Sequence, residues 1–108
     1  MTQRKVIIYK TRTGVEPYVE YVDSLKDREG AAKIRARVTR AALGNLGDHR
    51  SVGGGVIELR IHYGPGYRIY CGSYGRILLV LLCAGDKHSQ NEDIRKAVGH
   101  WQDYRRSV

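Results

Sequence analysis

The sequence lacks any long hydrophobic segment near its N-terminus, where only Val6–Tyr9 are continuously apolar. A signal peptide needs a longer apolar region, and a membrane-spanning helix needs about 20 such residues. We therefore expect a cytoplasmic protein that does not associate with membranes.

Cysteine is scarce, and the two cysteines, Cys71 and Cys83, lie in apolar segments without CxxC or Cys/His spacing. This pattern favours buried, reduced thiols over a zinc site or a disulfide. We expect no metal and no cofactor.

Several catalytic motifs are also missing: the GxxxxGK[ST] phosphate loop, the GxSxG elbow and the HExxH zinc motif. The glycines at 53–55 precede a predicted strand instead of opening a helix. Nucleotide hydrolysis and the common serine and zinc hydrolase mechanisms are disfavoured.

The chain has only two prolines and shows no repeat or Pro/Ser-rich linker. A length of 108 residues leaves room for one hydrophobic core. We predict a single domain over residues 1–108.

What the sequence has in excess is positive charge, with 19 Lys and Arg against 11 Asp and Glu and a net charge of +8. Such a surplus on a small surface favours polyanions such as nucleic acid, anionic lipid or an acidic protein. A basic surface that serves only solubility remains an alternative.

Hydrophobic periodicity predicts an α+β domain with the element order β-α-α-β-β-β-α, in which helices pack on a mostly antiparallel sheet. The glycine-rich stretch 44–55 is predicted to be one long loop. The predicted elements are a strand at 5–10, helices from 16 to about 28 and from about 30 to 46, strands at 56–63, 67–71 and 77–83, and a helix at 91–104.

The strand pattern also predicts a polar face on the sheet. In VIELRIHY, Glu58, Arg60 and His62 alternate with apolar residues, and after the GPG turn Arg68 and Tyr70 alternate in the same way. We therefore expect one face of this hairpin to be core and the other to be polar.

The polar face carries groups able to engage RNA, because guanidinium groups grip phosphate and an aromatic ring can stack on a base. Just after the apolar strand at 77–83, Lys87 and His88 are expected to complete a basic pocket with these residues. Polar side chains on a strand are also common without any catalytic role, so spacing alone leaves both interpretations open.

Other polar and aromatic residues have simpler interpretations. Trp101 and Tyr104 are expected in the core, His49 and His100 are expected to be exposed, and Asp93 is expected to favour the dipole at the start of the last helix.

Two segments in order, GVIELR at 55–60 and GPGYRIY at 64–70, resemble the central strands of the addiction-module killer proteins in the RelE/HigB toxin group. The C-terminal half of that group is similar to LLCAGDK at 81–87 and to the spaced residues Gln90, Asp93, Ile94, Ala97, Trp101 and Tyr104. The resemblance covers most of the chain and is strongest between residues 55 and 104.

This resemblance implies a RelE-like fold and the toxin component of a type II toxin–antitoxin system. It further implies an mRNA interferase, a metal-independent endoribonuclease that cleaves mRNA on the ribosome and so inhibits translation. The implied partner is a cognate antitoxin with a helix-turn-helix, and operator DNA would be bound only through the toxin–antitoxin complex.

By the same resemblance, Arg68 corresponds to the family's catalytic arginine and Lys87 to a second basic residue after the central strand. RelE itself has lysines on the second strand and a tyrosine in the C-terminal segment, where the nearest positions in this chain are Glu58 and the Asp93–Ile94 pair. Catalytic roles therefore cannot be transferred wholesale. Our hypothesis is that Arg68 and Lys87 stabilise the scissile phosphate, Arg60 positions the RNA and His62 transfers a proton. Tyr70 and His88 are assigned to RNA binding.

Two alternatives of other classes stay open. Related ParE toxins share the fold but inhibit DNA gyrase, and fold analogy does not exclude that activity. The chain could also be a non-catalytic, antitoxin-binding module that acts in transcriptional autoregulation.

Overall fold

A computed structural model describes residues 3–108, and over that range the chain forms an α+β domain with a mixed five-stranded sheet and three helices. Met1 and Thr2 of the predicted domain lie outside the described residues. In chain order the elements are β1 (Lys5–Ile8), α1 (Pro17–Ser24), α2 (Arg28–Ala42), β2 (His49–Gly53), β3 (Val56–Arg60), β4 (Arg68–Tyr74), β5 (Leu78–Gly85) and α3 (Gln90–Ser107).

The strands lie in the order β1-β5-β4-β3-β2. Neighbouring strands run antiparallel except for β1 and β5, which are parallel. The continuous apolar segment becomes β5, which lies inside the sheet and is buried from Leu79 to its end at Gly85. The prediction of a central strand covered on both faces is confirmed.

Helices cover both faces of this sheet. One face, which we call the hairpin face, is covered by the helical hairpin of α1 and α2. These helices contribute Val22, Ile34 and other apolar side chains to a core shared with Leu59 and Ile69. On the other, the α3 face, Trp101 of α3 packs in a second core. The sheet is therefore the middle of three layers.

The segment predicted to be one long loop contains β2, which makes this part of the prediction wrong. β2 is an edge strand whose residues are exposed except for the half-buried Val52, so it lacks the apolar alternation that identifies a strand. Gly53, the last residue of β2, and the turn residues Gly54 and Gly55 all have positive φ and lead into β3.

The helix boundaries also differ from the prediction. The first helix ends at Ser24, because Leu25 is already extended, and α2 begins at Arg28, where the Asp27 carboxylate accepts a hydrogen bond from the Gly30 N–H at 2.9 Å. α3 continues to Ser107, beyond the predicted end. Within residues 3–108, no helix combines the length and the apolar character required to cross a bilayer.

Both cysteines are buried and unpaired, as predicted. Cys71 belongs to the core on the hairpin face and Cys83 to the core on the α3 face. Burial raises the pKa of each thiol to about 12, so neither is a reactive thiolate near neutral pH.

Candidate active site

A cleft of about 520 Å³ opens at the end of the sheet where β3 ends and β4 begins. All four residues predicted to be catalytic lie in its wall. The lining residues are Arg60, Ile61, His62, Tyr63, Gly64, Pro65, Gly66, Tyr67, Arg68 and Lys87.

Strand register explains why residues distant in sequence meet here. Arg60 is paired with Arg68, and Arg68 is paired in turn with Gly85. Two residues after Gly85, the N–H of Lys87 points to the carbonyl of Pro65 in the β3–β4 turn, at 3.4 Å. The cations therefore come from the ends of three adjacent strands on a rigid support.

Arg68 is held in place by its surroundings, and its side chain is only 12% exposed. One terminal nitrogen donates to the Gly66 carbonyl at 2.7 Å, and Nε lies 3.6 Å from Oε2 of Glu58. Gly66 has positive φ, and a Cβ at that position would lie 3.2 Å from the same Arg68 nitrogen. The turn sequence thus permits the close approach of this guanidinium.

Glu58 lies on the predicted polar face, on the same side of β3 as Arg60, but it is fully buried. It accepts hydrogen bonds from Arg50 Nε at 2.9 Å, Tyr70 OH at 3.0 Å and Gln90 Nε2 at 3.0 Å. Burial alone would raise the pKa of this carboxyl, but these hydrogen bonds outweigh burial and hold the pKa below its ordinary value. The polar face is thus present as predicted, but α3 covers this part of it, and the polar residues there pair with one another.

The ring of Tyr70 is buried and not accessible for stacking on a base, which corrects the sequence prediction of an RNA-binding role. The side chain is completely buried, and its hydroxyl donates to Glu58. Burial and the neighbouring Glu58 raise the pKa of Tyr70 far above its ordinary value. The tyrosines that line the cleft are instead Tyr63, which is half-buried, and Tyr67, whose hydroxyl donates to Asp27 at 2.8 Å.

Asp48, which was not predicted from the sequence, connects two of the predicted catalytic residues, Arg60 and His62. Its Oδ1 accepts from a terminal nitrogen of Arg60 at 3.0 Å, and its Oδ2 lies 2.5 Å from His62 Nε2. His62 follows the end of β3 instead of belonging to it, and its side chain is 79% exposed. No local signal identifies Asp48, because it lies in the stretch predicted to be a loop.

A buried arginine fixes the segment that carries Asp48. Arg37 of α2 is 2% exposed, and its guanidinium donates to the backbone carbonyls of Leu46, Asp48 and Arg60. Burial lowers the pKa of Arg37 from its ordinary value. The helical hairpin therefore anchors one wall of the cleft.

Lys87 and His88 separate at the end of β5. Both are exposed, but Lys87 lines the cleft whereas His88 does not. The His88 N–H donates to the Asp86 carboxylate at 2.9 Å, within the turn that leads to α3. The structure brings Arg60, His62, Arg68 and Lys87 together, and leaves Tyr70 and His88 outside the set.

The other histidines and the last helix follow the predictions in part. His49 is exposed, but His100 is half-buried and stacks on Tyr9 with ring centroids 4.8 Å apart. Trp101 is in the core as predicted. Asp93 lies in the first turn of α3 and is also buried, with Ser89 Oγ donating to its carboxylate.

The fold and the cleft together define a small basic α+β domain with a cationic cleft at one end of its sheet. Comparison with known proteins finds a relative in Haemophilus influenzae, described as an uncharacterized protein, that is 46% identical over 77 residues. The match covers 71% of this chain and 78% of the relative, and the chain belongs to the same family as that protein. No family model and no solved structure matches the chain.

Proposed function

We propose that this chain is the RelE/HigB-like toxin of a type II toxin–antitoxin pair and cleaves mRNA on the ribosome. The observation that carries the proposal is the convergence of Arg60, His62, Arg68 and Lys87 on one cleft. The proposal includes a RelE-like fold, a cytoplasmic location and a helix-turn-helix antitoxin that occludes the cleft.

The chemistry rests on charge at the scissile phosphate. Cleavage without a metal requires the ribose 2′-hydroxyl to lose its proton while negative charge on the phosphate is stabilised. Arg68, fixed by Gly66 and close to Glu58, presents a preorganised guanidinium, and the exposed ammonium of Lys87 lies across the turn. Arg60 positions the RNA strand, and His62 carries the proton.

Two carboxylates keep these cations in place without neutralising the cleft. Arg60 and Arg68 are directly paired in the register, where like charges repel. Each has its own acidic neighbour, Asp48 for Arg60 and Glu58 for Arg68. Lys87 has no salt-bridge partner among residues 3–108, so the cleft keeps a net positive charge suited to a phosphate.

Induced expression of the toxin, followed by primer extension on translated mRNA, tests this function. The wild type is expected to arrest growth and to generate new mRNA 5′ ends. Arg68→Ala and Lys87→Ala are each expected to reduce cleavage, by roughly 10²-fold for loss of one phosphate-stabilising donor.

The matched controls are Arg76→Ala and Lys10→Ala, which remove the same charges from exposed positions outside the cleft. Both are expected to retain toxicity. Toxicity that survives Arg68→Ala and Lys87→Ala would overturn the site assignment. Growth arrest with DNA damage signalling and intact mRNA would support gyrase inhibition instead, and antitoxin binding without growth arrest would support a non-catalytic module.

A further inference from the structure

We infer that Asp48 is a positioning residue that fixes the tautomer of His62, so that His62 Nδ1 accepts the proton of the ribose 2′-hydroxyl. This inference rests on the proposed function and assigns the base within it. Asp48 acts through His62 and has no direct role at the phosphate.

The Asp48 carboxylate is held at both oxygens. Oδ1 accepts from Arg60 at 3.0 Å and Oδ2 contacts His62 Nε2 at 2.5 Å. The backbone carbonyl of Asp48 accepts from the Arg60 N–H at 3.0 Å and from Arg37 at 2.9 Å. Although its side chain is 39% exposed, the residue is therefore fixed through its backbone and through its carboxylate.

The ionisation of Asp48 decides which nitrogen of His62 carries the proton. The hydrogen bond from His62, together with Arg60, holds the pKa of Asp48 below its ordinary value. An ionised carboxylate only accepts hydrogen bonds, so the nitrogen facing it must be a donor. In neutral His62 the proton is thus on Nε2, and the lone pair is on Nδ1.

The geometry leaves that lone pair free to act. Among residues 3–108 no group hydrogen-bonds to Nδ1 of His62, and the ring lines the cleft with most of its surface exposed. A carboxylate that orients a histidine in this way also stabilises the imidazolium formed when the ring takes a proton.

The proposed step balances as a transesterification. The 2′-hydroxyl proton moves to His62 Nδ1 while the 2′-oxygen bonds to phosphorus and the bond from phosphorus to the 5′-oxygen breaks. The 5′-oxygen takes a proton from solvent, and the His62 imidazolium returns one to solvent. The products are a 2′,3′-cyclic phosphate and a 5′-hydroxyl.

Nitrogen-15 NMR of the full-length, labelled protein reads the tautomer without any need for activity. In the wild type, neutral His62 is expected to carry its proton on Nε2. In Asp48→Asn the amide NH₂ can donate to Nε2, and the proton is expected to move to Nδ1. Asp23→Asn, the same chemical change at an exposed residue, is expected to leave the tautomer unchanged.

Cleavage of translated mRNA provides the second readout, together with a check that each variant is folded. Asp48→Asn is expected to lose roughly 10²-fold or more of the cleavage rate, the range of a general base. Asp48→Glu, which keeps an ionised acceptor, is expected to retain the Nε2–H tautomer and to recover part of the rate.

A wild-type His62 protonated on Nδ1, or an Asp48→Asn variant that cleaves at the wild-type rate, would overturn the inference. If the tautomer changes as expected but the wild type cleaves no RNA, the positioning of His62 by Asp48 is supported and the proposed function fails. The two failures are therefore distinguishable.

Discussion

The two faces of the sheet differ in the kind of side chain that they bury. The hairpin face buries an apolar cluster that includes Leu59, Ile61 and Ile69. The α3 face buries Glu58 and Tyr70 in a hydrogen-bonded network that Gln90 of α3 completes. Alternation in a strand can thus indicate a second buried layer with internal pairing instead of a solvated face.

Arg60 and Arg68, which line the cleft, lie on the same face of the sheet as the network under α3. Glu58 and Arg60 point to the same side of β3, and Tyr70 and Arg68 to the same side of β4. The first of each pair is completely buried, whereas Arg60 and Arg68 are partly exposed. Partial covering of one polar face therefore yields both a structural network and an open cationic site.

Substitution of Glu58 or Leu59, which are neighbours in β3 on opposite faces of the sheet, is expected to give the largest loss of stability. Glu58→Ala leaves buried hydrogen-bond donors and the Arg68 charge without their partner, and is expected to lower the free energy of unfolding by about 3–5 kcal/mol. Leu59→Ala creates a cavity on the hairpin face, with an expected loss of about 2–5 kcal/mol. Urea unfolding measures both. A change below about 0.5 kcal/mol for Glu58→Ala, as at an ordinary surface position, would contradict the buried network.

A smaller effect tests the packing of the α3 face. A Cβ on Gly72 would lie 2.0 Å from Cε3 of Trp101, so the helix must shift to accommodate it. Gly72→Ala is therefore expected to cost about 1–3 kcal/mol through overpacking. Thermal unfolding provides the measurement, and an unchanged Tm would show that Trp101 does not press on β4.

The stability contributed by the buried Glu58 is expected to depend on pH. Because the pKa of Glu58 is lowered in the folded state, its stabilisation is present above the unfolded pKa of about 4.3 and is lost as the pH falls through the folded value. One such group changes the unfolding free energy by at most about 1.4 kcal/mol per pH unit.

The difference in unfolding free energy between wild type and Glu58→Gln is therefore expected to shrink as the pH falls below about 4.3. Denaturant titrations at a series of pH values measure it. Other acids with lowered pKa values, including Asp48 and Asp27, remain in both proteins and cancel in this difference. A difference that does not vary with pH would mean that Glu58 is not held ionised by its partners.

The smallest expected effect is a gain in stability on the outer side of α3. Gly99 is exposed in the helix, and a Cβ there would meet no atom within 4 Å. Gly99→Ala is expected to raise the free energy of unfolding by roughly 0.5–1 kcal/mol, because alanine favours the helix. Thermal unfolding checks the sign, and destabilisation would place Gly99 in a contact that the structure does not contain.

Hydrophobic periodicity was sufficient for most of the fold. A continuous apolar segment identified β5 as a central strand, and apolar side chains at helical spacing identified α3 as an amphipathic helix. It missed β2, whose residues are almost all exposed and whose strand conformation depends on pairing with β3.

The parts of the site that depend on strand register could be predicted from the sequence, whereas those that depend on the packing of other elements could not. Arg60 and Arg68 could be paired from alternation on either side of the GPG turn. The burial of Glu58 could not be predicted, because the sequence of a single strand does not reveal that α3 crosses its polar face. The role of Asp48 could not be predicted either, because Asp48 is 14 residues from His62 in sequence and lies in a segment that Arg37 positions.

A reconstituted translation reaction with purified protein shows directly whether the cleft cleaves RNA. The measurement is the chemistry of the new mRNA ends. We expect 5′-hydroxyl and 2′,3′-cyclic phosphate ends for the wild type and for Arg76→Ala, with about 10²-fold fewer for Arg68→Ala. Intact mRNA with the folded wild-type protein, or equal cleavage by Arg68→Ala, would contradict it.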